Sequence, residues 1–174
     1  DNLIYLDSDI ICINNPLKDF KAIINELNQS SQTISVKSEL QSLSKGLELK
    51  SKKYFNAGVM VINTDKWFNN NIQKELVNLT DKHKDKLQFW DQDVLNIYFD
   101  GKYIELSKYL NFTLDMKPFE KINNLDSFEM DKVKLIHYVG KFKPWSLRGI
   151  VNNKSEFYQS YYRELFTQKY HLKS

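Results

Sequence analysis

The sequence predicts an α/β fold, and three observations lead there. Short apolar, β-branched runs recur at Leu3–Cys12, Tyr54–Asn63 and Lys134–Tyr138, the pattern of buried strands. Between them lie segments with apolar residues at helical spacing. The 174 residues, 41% of them hydrophobic and 14% aromatic, match one soluble globular domain with enough apolar mass for a core.

Taken in order, Leu3–Cys12 reads as a buried strand of the parallel-sheet kind, and Asn14-Asn15-Pro16 breaks it. Pro16 suits the first turn of a short helix, with Phe20, Ile23, Ile24 and Leu27 on one face. Thr33–Val36 is a strand, and the Ser/Lys-rich stretch Lys37–Lys53, which has no clear period, is a loop. Tyr54–Asn63 returns to a buried strand. Thr64 is placed to cap a helix with Phe68, Ile72, Leu76 and Leu79 recurring as a core stripe. Phe89–Phe99 is a short helix stopped by Asp100-Gly101. Tyr103–Leu106 and Lys134–Tyr138 are further strands, Gly140–Trp145 is a loop, and Ser155–Gln168 is a final aromatic helix.

Charge and composition exclude several function classes. Basic residues exceed acidic ones by only three and form no dominant run, so nucleic-acid binding has no electrostatic support. The single cysteine, Cys12, excludes an internal disulfide and fits a reducing compartment. No apolar run is long enough to span a bilayer, and no signal peptide is visible. The abundance of Asn, Lys and Ile points to an A/T-rich bacterial genome. The chain starts without Met and almost inside a strand, which is read as a processed piece or a truncated record.

Four islands can carry chemistry. Asp7 and Asp9 are two apart, so in extended chain their carboxylates leave one face of the strand. Held together they repel, and a hard divalent cation such as Mg2+ or Mn2+ relieves that; caps on local amides are the alternative. Asn56-Ala57-Gly58 offers a donor, an acceptor and close backbone approach at a strand mouth, or forms a tight turn. Asp91-Gln92-Asp93 opens a helix, where capping explains one acid but not the set. Finally, His137 follows Val133–Ile136 at a strand end, and Gly140, Lys141 and Lys143 suit a phosphate or diphosphate. A hydrogen-bonded core histidine is the plainer account of His137 taken alone.

The succession Tyr5-Leu6-Asp7-Ser8-Asp9, Phe55-Asn56-Ala57-Gly58-Val59, Asp91-Gln92-Asp93-Val94-Leu95-Asn96 and His137-Tyr138-Val139-Gly140 with Lys143-Pro144-Trp145 resembles glycosyltransferase family 8. That family includes glycogenin and the bacterial lipopolysaccharide galactosyl- and glucosyltransferases, and the lipooligosaccharide branch looks closest. The resemblance covers nearly the whole chain. It implies the C-terminal portion of a GT-A fold, with residues 1–174 as a single partial domain, a UDP-sugar donor, Mn2+ (or Mg2+) and retention of anomeric configuration. It further implies that Asp7, Asp9 and His137 are metal ligands and that Asn56, Ala57, Gly58 and Asp91 hold the donor sugar. Gln92 would face the anomeric carbon, and Gly140 and Lys143 the diphosphate. The implied setting is cytoplasmic, at most peripheral at the inner membrane, with a saccharide or lipid-linked saccharide acceptor.

From that resemblance the leaving UDP would be neutralised by the metal and Lys143, through an oxocarbenium-like state. Gln92 is a poor nucleophile, which favours front-side attack by the acceptor hydroxyl. Family members carry a nucleotide-binding half ahead of the Asp-x-Asp strand, and it is absent from this sequence. Two expectations follow: an exposed apolar face beside Leu3–Cys12, and an incompetent transferase that aggregates or seeks a partner. A non-catalytic fragment that binds sugar nucleotide weakly is the alternative function. A haloacid-dehalogenase-type phosphatase fits less well, since Ile11 stands where that motif takes Thr or Val and no late acidic motif follows Tyr138. Tyr158, Tyr161, Tyr162, Leu165 and Phe166 form a stripe followed by Lys169, His171 and Lys173. It is read as a helix packed on the core, with a peripheral anchor on an anionic bilayer as the alternative.

Overall fold

The computed structural model of the protein describes residues 1–39, 46–116 and 130–170. In chain order the elements are β1 (Asn2–Leu6), β2 (Ile10–Cys12), α1 (Leu17–Gln29), β3 (Ile34–Glu39), β4 (Tyr54–Asn63), α2 (Thr64–Asn69) and α3 (Ile72–His83). They continue with α4 (Trp90–Phe99), β5 (Ile104–Glu105), β6 (Phe112–Thr113), β7 (Leu135–His137), α5 (Leu147–Ile150), a 3-10 turn at Asn153–Ser155 and α6 (Glu156–Tyr170). The chain divides into two compact units, one of residues 1–6 and 17–108, the other of residues 7–16 and those from 109 on.

The first unit is built on a sheet of order β1-β4-β3-β5. Strand β4 is the organising element. Its ten residues are apolar on both faces because antiparallel neighbours flank it and helices cover it, and only Asn56 among them is not buried. Ile34, Val36, Phe55, Ala57, Met60, Ile62, Ile72, Leu95 and Phe99 form the core. The pairing of β3 with β4 jumps from Val36↔Met60 to Lys37↔Asn56, so Ala57, Gly58 and Val59 sit in a bulge on the β3 side. Asn56-Ala57-Gly58 therefore lies inside the strand, neither at its mouth nor in a turn. Strand β3 also runs three residues beyond the expected Val36, because the polar Lys37-Ser38-Glu39 still pairs with β4 past the bulge. Residues 40–45 of the expected loop fall outside the described residues. The segment before β4 is tied down by Asp100, whose carboxylate accepts from Lys50 N (3.1 Å) and Ser51 N (2.9 Å).

Three local expectations in this unit are corrected. Asn63, not Thr64, caps α2, its side chain accepting from Lys66 N (2.9 Å). The single helix expected after it breaks at Asn70-Asn71, where Asn71 turns left-handed (φ 52°), and this leaves Phe68 68% exposed rather than in the core. Strand β1, read as buried and of the parallel kind, pairs antiparallel with β4 from Asn2↔Asn63 to Leu6↔Val59 and lies at the sheet's edge. Leu3, Ile4, Tyr5 and Leu6 are 36–50% exposed, and Cys12 is exposed too, so the expected apolar face beside this stretch is present.

The second unit carries a sheet of order β2-β7-β6. Antiparallel pairing sets Ile10 opposite His137 and Cys12 opposite Leu135, and β6 runs parallel to β7. Leu114, Met116, Val133, Ile136 and Tyr138 form its core, with Phe142, Phe157 and Tyr158 against it. Helix α6 packs inward only at its start. Tyr161, Tyr162, Leu165 and Phe166 are exposed, which corrects the reading of the whole stripe as core; His171 and Lys173 lie outside the described residues. No helix among the described residues is long and apolar enough to cross a membrane.

Candidate functional site

In the second unit, the chain turns at Asp7-Ser8-Asp9 between β1 and β2. The two acids thus share a turn rather than a strand face, a correction to the extended-chain reading. Register does the rest. With Ile10 opposite His137 and Tyr138 N donating to Asp9 O (3.0 Å), the turn is held against the end of β7. His137 Nε2 lies 3.2 Å from Asp9 Oδ1 and 3.6 Å from Asp7 Oδ2. One ligand atom from each of the three residues lies within 4.8 Å of the others.

This arrangement fits a divalent cation. Asp9 Oδ1 is buried and accepts no hydrogen bond, although His137 Nε2 stands 3.2 Å from it. On the far side of the ring, Nδ1 lies 3.0 Å from the carboxamide oxygen of the buried Asn111. Because that oxygen only accepts, Nδ1 donates to it, which leaves Nε2 as the ring nitrogen that faces the acids and could ligate a metal. Two carboxylate oxygens and one imidazole nitrogen form a donor set that could hold a divalent cation.

Lys143, expected to face a diphosphate, reaches the same acid. Its Nζ donates to Asp9 Oδ2 (2.5 Å) and to Tyr138 O (2.6 Å). Burial pushes the Asp9 carboxyl up, but the contacts with His137 and Lys143 and their charge outweigh it and hold the group at about 2. The loop behind Lys143 is rigidly framed. Ser146 caps α5, and Lys143 O accepts from Ser146 N (2.9 Å) and Ser146 Oγ (2.7 Å). A Cβ at Gly149 would stand 1.9 Å from Lys143 O, so only glycine allows this approach. Gly140 is left-handed (φ 81°), and a Cβ there would meet Asp115 Oδ1 at 2.9 Å.

The first unit carries the other cluster. Gln92 Oε1 accepts from Ala57 N (3.0 Å), a backbone amide in the bulge, and from the side-chain Asn56 Nδ2 (3.3 Å). Asn56 Oδ1 in turn accepts from Gly58 N (3.0 Å). Gln92 Nε2 donates to Tyr54 Oη (2.9 Å), which donates to Asp93 Oδ1 (2.7 Å). Asp93 Oδ2 accepts from Gln88 N (2.6 Å) and Phe89 N (2.7 Å), so Asp93 is the acid that serves the entry to α4. Asp91 is exposed beside it and joins none of these hydrogen bonds. The buried Asn96 pairs with both backbone groups of Phe55, accepting from N (2.8 Å) and donating to O (2.9 Å), where β1 no longer runs alongside β4.

Asp7, Asp9 and His137 are thus brought together, as are Asn56, Ala57, Gly58 and Gln92. Tyr54, Asn96, Asn111, Ser146 and Gly149 were given no role from the sequence, and Asp93 was read only as part of the Asp91-Gln92-Asp93 set. Asp93 and Asn96 stand inside a stretch that had been singled out, and the spacing of Asn96 one helical turn from Gln92 was available as a signal. Asn111 had none.

Residues 1–148 match the family described as glycosyl transferase family 8. A putative glycosyltransferase of Haemophilus influenzae is 37% identical over 112 residues, 64% of this chain and 33% of that protein. The lipopolysaccharide 1,3-galactosyltransferase of Salmonella typhimurium is 28% identical over 169 residues, 92% of this chain and 49% of that one. Among solved structures, the galactosyltransferase LgtC, in complex with donor and acceptor sugar analogues, superposes with TM-score 0.68 at 25% identity, over 92% of this chain and 60% of its own. The chain therefore spans less than half the length of these curated relatives.

Proposed function

Because the chain belongs to glycosyl transferase family 8, we propose that it forms the metal- and sugar-binding part of a retaining hexosyltransferase. The reaction moves galactose or glucose from a UDP-sugar to a saccharide acceptor in lipopolysaccharide or lipooligosaccharide synthesis. The observation that carries this reading is the convergence of Asp7, Asp9 and His137 around a buried carboxylate oxygen without a hydrogen-bond partner. These three would hold Mn2+, or Mg2+. Bound there, the ion would supply positive charge against the departing diphosphate.

The chain's own residues supply the rest. Lys143, which here bonds Asp9, would supply a positive charge for the diphosphate if a cation took that carboxylate, and Gly140 lies in the same loop. Asn56, Ala57, Gly58 and Asp91 orient sugar hydroxyls. Gln92 flanks the reacting carbon as a neutral amide, and an amide is a weak nucleophile, which favours front-side attack by the acceptor hydroxyl over a glycosyl-enzyme intermediate. The exposed Tyr161, Tyr162, Leu165 and Phe166 favour peripheral contact with an anionic membrane, where a lipid-linked acceptor would be met.

Calorimetric titration with UDP, with and without Mn2+, tests the core of the proposal, alongside transfer from UDP-galactose and UDP-glucose. Expected are Mn2+-dependent UDP binding and its loss in Asp9→Asn. Turnover is expected of a polypeptide of the relatives' length, and little from these 174 residues alone. UDP binding indifferent to Mn2+ and to Asp9 would support a non-catalytic protein instead. Flotation with anionic liposomes, with and without the segment after Phe157, decides the membrane contact; equal soluble fractions remove it.

A further inference from the structure

Gln92 is held at both ends of its amide: Asn56 and Ala57, both expected to touch sugar, hold the oxygen, and Tyr54, which is not, holds the nitrogen. A carboxamide has two acceptor positions on oxygen and two N–H donors on nitrogen. Both oxygen positions are taken, by Ala57 N (3.0 Å) and Asn56 Nδ2 (3.3 Å). One N–H goes to Tyr54 Oη at 2.9 Å. That phenol accepts from Gln92 because its own proton is committed to Asp93 Oδ1 at 2.7 Å. Asp93 is in turn fixed by the amides of Gln88 and Phe89. Tyr54 and Asp93 are each 1% exposed, so neither reaches solvent.

We infer that Tyr54 and Asp93 are positioning residues that set the polarity of the Gln92 amide, so that Gln92 presents an N–H, not its carbonyl oxygen, to the sugar. The logic is one of forced direction. A carboxylate can only accept, so the Tyr54 proton points to Asp93, Tyr54 can only accept from Gln92, and the amide nitrogen must face it. The opposite flip would set the carbonyl oxygen against the Tyr54 lone pair and the NH2 against the Ala57 N–H, a repulsive contact at each end. The inference rests on Gln92 acting in the proposed transfer. It adds that the group it offers is a hydrogen-bond donor, suited to a hydroxyl or ring oxygen and unable to attack carbon.

The test is Tyr54→Phe, which keeps the ring in the core and removes the oxygen. In 1H–15N spectra of the 174-residue chain, the Gln92 side-chain NH2 pair is assigned by its loss in Gln92→Ala. Tyr54→Phe is expected to shift that pair and quicken its exchange with solvent. Asp93→Asn, if it folds, should do the same, since an amide no longer compels the direction of the phenol proton. In hexose transfer by a polypeptide of the relatives' length, kcat should fall about tenfold or more in Tyr54→Phe while the donor KM stays within about twofold, the mark of misorientation rather than lost binding. An unmoved Gln92 pair in Tyr54→Phe would overturn the inference. So would a shifted pair with unchanged kcat when Gln92→Ala abolishes turnover. A wild-type polypeptide of the relatives' length that transfers neither galactose nor glucose would overturn the proposed function instead, and the spectra would still decide whether Tyr54 orients the amide.

Discussion

His137 Nδ1 and Asn111 Oδ1 stand 3.0 Å apart in a buried pair, and this pair turns the opposite ring nitrogen toward Asp7 and Asp9. Asn111→Leu removes the acceptor and frees the ring to rotate or change tautomer. Mn2+ affinity, followed by the electron paramagnetic resonance of the free ion, should fall about 10- to 100-fold. Asn111→Asp, which keeps an acceptor, should retain most of it. Equal Mn2+ affinity in Asn111→Leu and wild type would show that the ring is oriented by other means.

Lys143 and a cation compete for Asp9. In Lys143→Met the carboxylate loses its 2.5 Å partner, so Mn2+ alone should bind about three- to tenfold more tightly, while UDP in the presence of Mn2+ should bind more weakly. Opposite signs from one substitution are the diagnostic. If both affinities fall together, Lys143 is only a structural strut.

Two buried phenols set an alkaline limit. Burial pushes Tyr138 from its ordinary 10.0 up to about 12, and burial with Asp93 alongside pushes Tyr54 higher still. Above pH 10 the unfolded chain releases protons that the folded chain keeps. Stability is therefore complete below that pH and is lost as pH rises toward 12, by up to about 2–3 kcal/mol for Tyr138 alone. Thermal unfolding at stepped pH should show that decline, and Tyr138→Phe should flatten it. The same variant should lose about 1 kcal/mol near pH 8, for want of the bond from Tyr138 Oη to Lys154 O. A wild-type profile level through pH 11 would contradict the assignment.

The edge strand β1 should make these 174 residues self-associate. Leu3, Ile4 and Leu6 are 50%, 36% and 43% exposed on a strand at the end of its sheet, the combination that invites edge pairing. Sedimentation velocity should show species growing with concentration, reduced by Leu3→Lys with Ile4→Lys. A monomer at all concentrations would mean that the edge is protected.

Much of this was legible along the chain. The ten-residue run of β4 needed no partner to be recognised, because it is apolar on both faces. Helix α4 announced its stop through Asp100-Gly101, and Asp7, Asp9 and His137 stood out as polar residues at the ends of apolar strands. The order of the motifs pointed to the family. These are local signals, carried by residues within a few positions of one another.

What only the tertiary structure decided depends on which distant segments meet. An apolar strand reads the same in the middle of a sheet and at its edge, so the exposure of β1 was settled by its neighbours and not by its composition. The bulge that contains Ala57, whose N donates to Gln92, comes from the register of β3 against β4. Asn111 reaches His137 across 26 positions, Tyr54 reaches Asp93 across 39, and Lys143 reaches Asp9 across 134. A single hydrogen bond between residues so far apart leaves no periodicity and no spacing rule in the sequence; it exists only once the backbone has placed both ends.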